Sequence, residues 1–531
     1  MICSIETKRK ALCYGLCLFH VLVTAMRLFF LLLVAFWFIS SYNMPPPAEV
    51  EASFAMDADD FIAESMATLG VIPGVSVAVV QEGKPIYLRG FGMADVETGL
   101  PVTPNTLFYI ASSTKSFVGL TAALLDARGE FDLDAPITQY LPKEAFPATV
   151  QVDRVTVRDL LTHTSGLEND PIVFRTAYSG EHTPDVLHTL LSETTVNEAA
   201  PHGTFAYTNL GYNLLSLILE ELTGKPWPDL VQEEVLAPLG LTRTTAYASL
   251  PQQEGWPQAR PYFAFGTDGP ERIALQKQDN TMHAAGGMVS SATDLAQWLI
   301  MNLQDRHVGD QEVLPTAVVQ ETHRKQAEVD AEFFRFHRHG YGLGWYHAAY
   351  GAETLVHQFG SFPGFRAHVS FLPEHDLGVV VLVNESTLGS TFADVIATFL
   401  YDWWLVGPEA KSTYAGFVQR LVQQRDQFKQ RIESDRAERA NRTFTLTEPL
   451  SAYTGTYKHP AGGTLHISEE NQVLIVQLGN LRVVATPLTA PNTIRVELIP
   501  LQGEVIGFEV TDAGTVPRLQ YNDMRFERDD Q

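Results

Sequence analysis

Two hairpin-like runs, far apart in the sequence, constrain this chain of 531 residues more than any other feature. Gly74-Val-Ser-Val-Ala-Val-Val80 and Pro85–Gly92 flank a Glu82-Gly83-Lys84 turn, and Ala367–Phe371 and Val379–Val383 flank the turn Pro373–Gly378. Short apolar or alternating runs joined by Gly- and Pro-bearing turns are the signature of antiparallel strands. The sequence between the two pairs reads mainly as helix. Helices segregated from an antiparallel sheet, not alternating with parallel strands, define an α+β chain.

Length and charge narrow the function. At roughly 150 residues per domain the chain holds more than one folded unit. Its 45% apolar and 19% charged residues suit a protein with a large buried core. Against 37 basic side chains stand 62 acidic ones, a formal charge of −25, so a nucleic-acid partner is not expected. The only cysteines are Cys3, Cys13 and Cys17. The folded part therefore has no disulfide, thiol nucleophile or zinc–thiolate cluster, and covalent catalysis must use oxygen or nitrogen.

Residues 1–43 read as a signal peptide or N-terminal membrane anchor. Lys8, Arg9 and Lys10 precede an apolar stretch from Ala11 to Ile39, broken by His20, Thr24 and Arg27. Leu28–Ile39 is short for a span of about 20 residues and sits behind Met26-Arg27, which makes Met26 a second candidate start. The expectation is export to the periplasm or cell envelope, with membrane anchoring if the leader is retained. Residues 44–56 read as a linker, 57–405 as the main domain and 406–446 as a helical connector in which Phe417, Leu421, Phe428 and Ile432 recur at helical spacing. Residues 447–531 change to short alternating runs separated by turns, which suggests a small antiparallel barrel or sandwich.

Three motifs carry chemistry. Ser112-Ser-Thr-Lys115 stands directly before the helical run Val118–Ala127. A serine at a first helical turn lies where N–H groups point outward, and a lysine three residues on shares its face. A desolvated lysine can serve as general base to such a serine. Tyr207-Thr-Asn209 stands before a second apolar helical run and would aim a phenol and an amide at one point. His357-Gln-Phe-Gly-Ser-Phe-Pro-Gly-Phe365 precedes the late hairpin, and a glycine-bearing edge strand lets a substrate backbone approach closely. Taken singly, each motif also fits a cap or a turn. His337, His339 and His347 sit among Arg and Phe residues in what reads as a loop, and neither a metal nor another cofactor is expected.

In this order, the motifs resemble those of the penicillin-recognising serine hydrolases of the class C β-lactamase type, which include D,D-carboxypeptidases, D-aminopeptidases and esterases. The resemblance spans roughly residues 57–405. It extends to Ile72–Val79, Leu160-Leu-Thr-His-Thr-Ser-Gly-Leu167, Ala285-Gly-Gly-Met288 onward and Tyr341-Gly-Leu-Gly-Trp345. It implies a β-lactamase/transpeptidase-like fold, an antiparallel sheet with a helical subdomain. It also implies that Ser112 is acylated, that Lys115 accepts its proton, that Tyr207 is the catalytic phenol, and that Asn209, Gly360, Ser361 and either His357 or Gln358 contact substrate. His163 and Ser165 carry only a structural expectation. Related chains place a basic residue two positions before the Gly360 equivalent, where this one has Gln358, with His357 one position early. A one-residue shift on a strand moves a side chain to the opposite face. Either a bulge returns His357 to the site, or Gln358 supplies a neutral hydrogen bond there. The C-terminal segment resembles a lipocalin-like barrel appended to some of these hydrolases. The implied activity is hydrolysis of amides or esters, D-amino-acid peptides, cell-wall peptides or β-lactams among them, through a serine acyl-enzyme. The alternative is a penicillin-binding receptor that keeps the fold without catalysis.

Overall fold

The computed structural model describes residues 47–304, 307–308 and 311–529. The leader over residues 1–43 lies outside them. Among the described residues no helix is long and apolar enough to cross a membrane.

The first element is a helix, Pro47–Leu69. It corrects the linker expected over 44–56. Proline at a first helical position loses no hydrogen bond, and the alanines and glutamates behind it favour helix. Farther along, Ala58, Phe61, Ile62, Ser65 and Leu69 form a buried stripe at helical spacing.

The main sheet runs antiparallel through nine strands, with a tenth strand on one of them. From one edge the order is Ala327–Phe333, Phe336–Tyr341, Tyr346–Tyr350, Glu353–His357, Phe365–Leu372, Leu377–Val383, Gly74–Gln81, Lys84–Asp95 and Leu100–Pro101. The short strand Gly360–Phe362 pairs with Phe365–Leu372. Both expected hairpins are present, and they meet where Gly74–Gln81 pairs with Leu377–Val383 from Val75–Val383 to Gln81–Leu377. The first three strands were not foreseen, and His337, His339 and His347 lie on two of them instead of in a loop. The outermost strand alternates Glu328, Asp330 and Glu332 with small or apolar residues; such charges blunt an exposed sheet edge and mask its strand character.

Strand Phe365–Leu372 is buried on both faces. Ala367, Val369 and Phe371 join one core with Leu295, Trp298 and Leu299 of helix Ala292–Leu303. The alternate residues face helix Gly389–Val406: Arg366 and His368 bond Asp394, and Ser370 bonds Tyr401. This alternation decides which residues of the third motif reach the serine.

Helix Ala410–Ala440 leads to the C-terminal unit. There nine strands run in one antiparallel sheet from Leu481–Val484 to Thr486–Pro487, a nearly closed barrel. Tyr457, Leu465, Val476, Ile494, Leu519 and Phe526 lie in its core. Barrel loops grip the main domain. Arg175 donates to the carbonyls of Pro460 (2.8 Å) and Ala461 (2.9 Å), the Thr464 N–H donates to Glu181 (3.0 Å), and the Asn480 N–H donates to the Ser179 carbonyl (2.8 Å). Gly479 passes so near that a Cβ there would lie 2.2 Å from the Ser179 oxygen.

Candidate active site

Ser112 occupies a one-turn 3-10 segment, Ala111–Ser113, that runs into the helix Thr114–Ala127. Ser112 is partly exposed, whereas Ala111, Ser113 and the helix as far as Leu125 are buried. Ala111 has φ +45°, a conformation that costs a non-glycine residue about 1–3 kcal/mol. Contacts from distant chain hold this turn. Ser113 Oγ donates to the Gln358 carbonyl at 2.7 Å, and the Ile110 N–H donates to the Met288 carbonyl at 3.0 Å. The nucleophile helix is also approached closely by Tyr341–Trp345. A Cβ on Gly344 would lie 2.5 Å from the Lys115 carbonyl, and one on Gly119 would lie 2.5 Å from that of Leu343.

Lys115 is fully buried. Its Nζ is 2.7 Å from the Ala285 carbonyl, 2.8 Å from Asn209 Oδ1 and 3.2 Å from Ser112 Oγ. The first two atoms can only accept, so they take two N–H bonds. A neutral amine has two N–H groups and one lone pair, and the remaining direction points at the hydroxyl, which can donate. Burial lowers the Lys115 pKa below that of a free amine, partly offset by Tyr207. Geometry and desolvation together favour a lysine able to take the serine proton.

Tyr207 stands at the mouth, 41% exposed, with its ring 4.8 Å from Lys115 Nζ. Asn209 is the residue before helix Leu210–Thr223, yet its side chain does not cap the helix and is committed to Lys115. His163 pins the loop on both sides of the phenol. Its carbonyl accepts from the Ala206 N–H at 2.8 Å and its Nδ1 from the Thr208 N–H at 3.3 Å. With Nδ1 as acceptor the proton belongs on Nε2, which has no partner among the described residues. Burial and the nearby Lys115 hold His163 well below its ordinary pKa, so the ring is neutral.

The third motif resolves by parity. Val356 pairs with Phe371 and His357 with Ser370, and beyond the gap Gly360 pairs with Ala367 and Ser361 with Arg366. The register advances one for one, with no inserted residue, and the Gln358 N–H fills the gap by donating to the Val369 carbonyl at 3.0 Å. Gln358 therefore shares the face of Val369, toward the serine. Its amide donates to the Ser112 carbonyl (3.1 Å) and to Tyr207 Oη (3.3 Å), and it accepts from Tyr341 Oη (3.4 Å). His357 is excluded from the site, which corrects its place among the substrate-binding candidates. It lies on the opposite face, accepting from Arg338 Nε at 3.3 Å and stacked between Tyr346 and Phe359. Gly360 lies against the nucleophile turn, and a Cβ there would be 1.9 Å from the Ile110 oxygen and 3.1 Å from the Ser112 nitrogen. Ser361, next along the strand, is exposed.

The structure thus gathers Ser112, Lys115, Tyr207, Asn209, Gln358 and Gly360 around one space. Sequence reasoning missed the Ala285 carbonyl and the grip of His163, because both act through backbone groups that side-chain patterns do not reveal. The adjacent Gly286 and Gly287 were the available signal for Ala285. A Cβ on Gly287 would lie 2.2 Å from the His283 nitrogen, which marks a segment folded tightly on itself.

A buried lysine beside a serine at the head of a helix, on a sheet of this topology, describes a serine hydrolase of the β-lactamase/transpeptidase fold. The sequence model of the beta-lactamase family matches residues 58–399, and the chain belongs to that family. It is 26% identical over 374 residues to Protein flp of Staphylococcus aureus (strain NCTC 8325 / PS 47), covering 70% of each chain. It is 28% identical over 429 residues to Unguisins hydrolase ungD' of Aspergillus campestris (strain IBT 28561), covering 76% of each. Among solved structures, the D-amino acid amidase of Ochrobactrum anthropi SV3 matches with 27% identity and TM-score 0.52, over 64% of this chain and 92% of that one. The octameric penicillin-binding protein homologue from Pyrococcus abyssi matches in fold, with 23% identity and TM-score 0.57, over 88% of this chain and 98% of that one.

Proposed function

We propose that the protein is an exported hydrolase that cleaves amides or esters through an acyl-enzyme on Ser112. The observation that carries this reading is the setting of Lys115 Nζ, whose two carbonyl partners leave its third direction for the Ser112 hydroxyl. As Ser112 Oγ attacks the substrate carbonyl carbon, its proton passes to Lys115. The developing oxyanion is received by the Ser112 N–H and an N–H of the Gly360–Phe362 strand, which Gly360 brings into contact with the nucleophile turn. Collapse of the tetrahedral adduct breaks the bond to the amine or alcohol, and the partly exposed Tyr207 hydroxyl relays the proton to that leaving group. Water then attacks the acyl-enzyme by the same proton route in reverse. The Asn209 amide and the Ser361 edge orient the substrate.

Relatives named for D-amino acid amides and for unguisins support an amide, including one with a D-residue, as the substrate class. Gln358 puts a neutral amide where the resemblance implies a basic residue in related chains, which argues against strict dependence on a substrate carboxylate at that position. The basic and apolar pattern of the leader supports export. Intact-protein mass spectrometry tests the reading. Incubation with a fluorophosphonate, a D-amino-acid amide and a p-nitrophenyl ester should add one acyl or phosphonyl mass at Ser112, and none in Ser112→Ala. A wild-type protein that gains no mass from any of the three is a receptor, not a hydrolase.

A further inference from the structure

Beside the serine lies a cavity of about 650 Å3 that Ser112, Lys115 and Tyr207 do not line. Its walls include Tyr109, Trp256, Arg260, Arg272, Lys277 and Phe362. Two of these are chain neighbours of the site: Tyr109 lies three residues before Ser112, and Phe362 two after Gly360. Whatever fills the cavity therefore rests on the two backbone segments that frame the nucleophile.

Lys277 is the unusual member. Its Nζ donates to the carbonyls of Ala177 (2.5 Å) and Thr281 (3.2 Å) and faces the rings of Phe362 at 4.2 Å, Tyr109 at 5.2 Å and Tyr178 at 5.7 Å. These carbonyls and rings are its partners among the described residues, and no carboxylate is one of them. An ammonium with two carbonyl partners keeps a third N–H to offer. Partly buried and desolvated, with no carboxylate partner among the described residues, the amine is pushed down to about 7. Among the described residues the only acidic side chain in the lining is Asp95, 3.8 Å from Arg260 and also within the field of Arg272. Two arginines, joined below about pH 7 by the Lys277 ammonium, stand against one carboxylate and make this cavity locally positive in a chain whose formal charge is −25.

We propose that the cavity is a specificity pocket for an anionic part of the substrate, a carboxylate at the end of an apolar or aromatic arm, with the Lys277 ammonium as its counter-ion. The arm would lie against Tyr109, Trp256 and Phe362 while the carboxylate takes the free N–H of Lys277. Arg272 and Arg260 reinforce the field. The pocket would thus supply, from a different part of the fold, the positive charge that Gln358 does not. It also explains why the barrel grips residues 175–181, since that segment carries Ala177 and Tyr178, two of the groups that hold the amine in place.

This inference rests on acylation at Ser112, so the test separates the two. Calorimetry at pH 6 on the full chain compares 3-phenylpropionate with 3-phenylpropionamide, ligands of the same arm and size, one anionic and one neutral. The acid should bind about tenfold tighter than the amide to wild type, and Lys277→Met should bring the ratio close to one. Should Lys277→Met fail to fold, Arg272→Gln is read in its place, with a smaller fall in the ratio. Equal binding of acid and amide by wild type, or a preference untouched by either substitution, overturns the pocket. An intact acid preference together with no acyl mass on Ser112 leaves the pocket standing and sinks the serine reading alone.

Discussion

Replacing Gly360 by alanine is the most direct test of how the site is assembled. The added Cβ would stand 1.9 Å from the Ile110 oxygen and 2.8 Å from its carbonyl carbon, whereas real Cβ atoms essentially never approach closer than 3.0 Å. Both partners are backbone, so no side chain can rotate away. The strand must withdraw from the nucleophile turn by about 1 Å, a displacement that costs on the order of a hundredfold in rate when it misplaces reacting groups. That corresponds to roughly 2.7 kcal/mol of activation free energy. The assay is the burst phase of p-nitrophenyl acetate hydrolysis, which reads the acylation step, together with thermal melting to confirm folding. Gly507→Ala is the control, since a Cβ there meets only Thr493 Cγ2 at 4.0 Å. A folded Gly360→Ala protein that acylates within about threefold of wild type would refute the argument that this contact aligns the two N–H donors.

Three further outcomes are expected. Gln358→Leu removes the amide that donates to the Ser112 carbonyl and to Tyr207, so melting should fall by the equivalent of about 0.5–1.5 kcal/mol, with a larger loss in kcat/KM than in stability. Arg175→Ala removes charge-assisted bonds to Pro460 and Ala461, about 1.5–3 kcal/mol, and limited proteolysis should then cut between the main domain and the barrel; unchanged resistance would show that other contacts suffice. The pH dependence follows from Lys115, whose pKa lies below the 10.5 of a free lysine because of burial. The neutral amine is the base, so kcat/KM should rise with pH along a limb centred below 10.5. Between the lowered value and 10.5 the unfolded chain binds a proton that the folded chain rejects, so stability from this group grows with pH across that window and is least below it. Lys115→Met should abolish both trends, and a limb that survives the substitution belongs to another group.

The sequence exposed some of this readily and hid the rest for definable reasons. Ser112 and Lys115 were legible because helical spacing alone places them together, and the central strands because both faces are buried and apolar. The choice between His357 and Gln358 waited on a register that no local pattern reveals. The strands bearing His337 and His347 escaped because they carry histidines and an arginine where the central ones carry valine. The Ala285 carbonyl was invisible because every residue has one. Lys277 passed unremarked because its surroundings come from three separate stretches of chain.

The pairing of Val75 with Val383 ties the first strand to a partner about 300 residues later. At synthesis rates near 5–20 residues per second, the early hairpin waits roughly 15–60 s for the edge it must join. Until then the hairpin is paired only within itself, and the edge of Gly74–Gln81 that Leu377–Val383 will cover stays open. A nascent chain of this topology keeps that edge open until residue 383 of 531 has been made, and the sheet that carries the site closes only then.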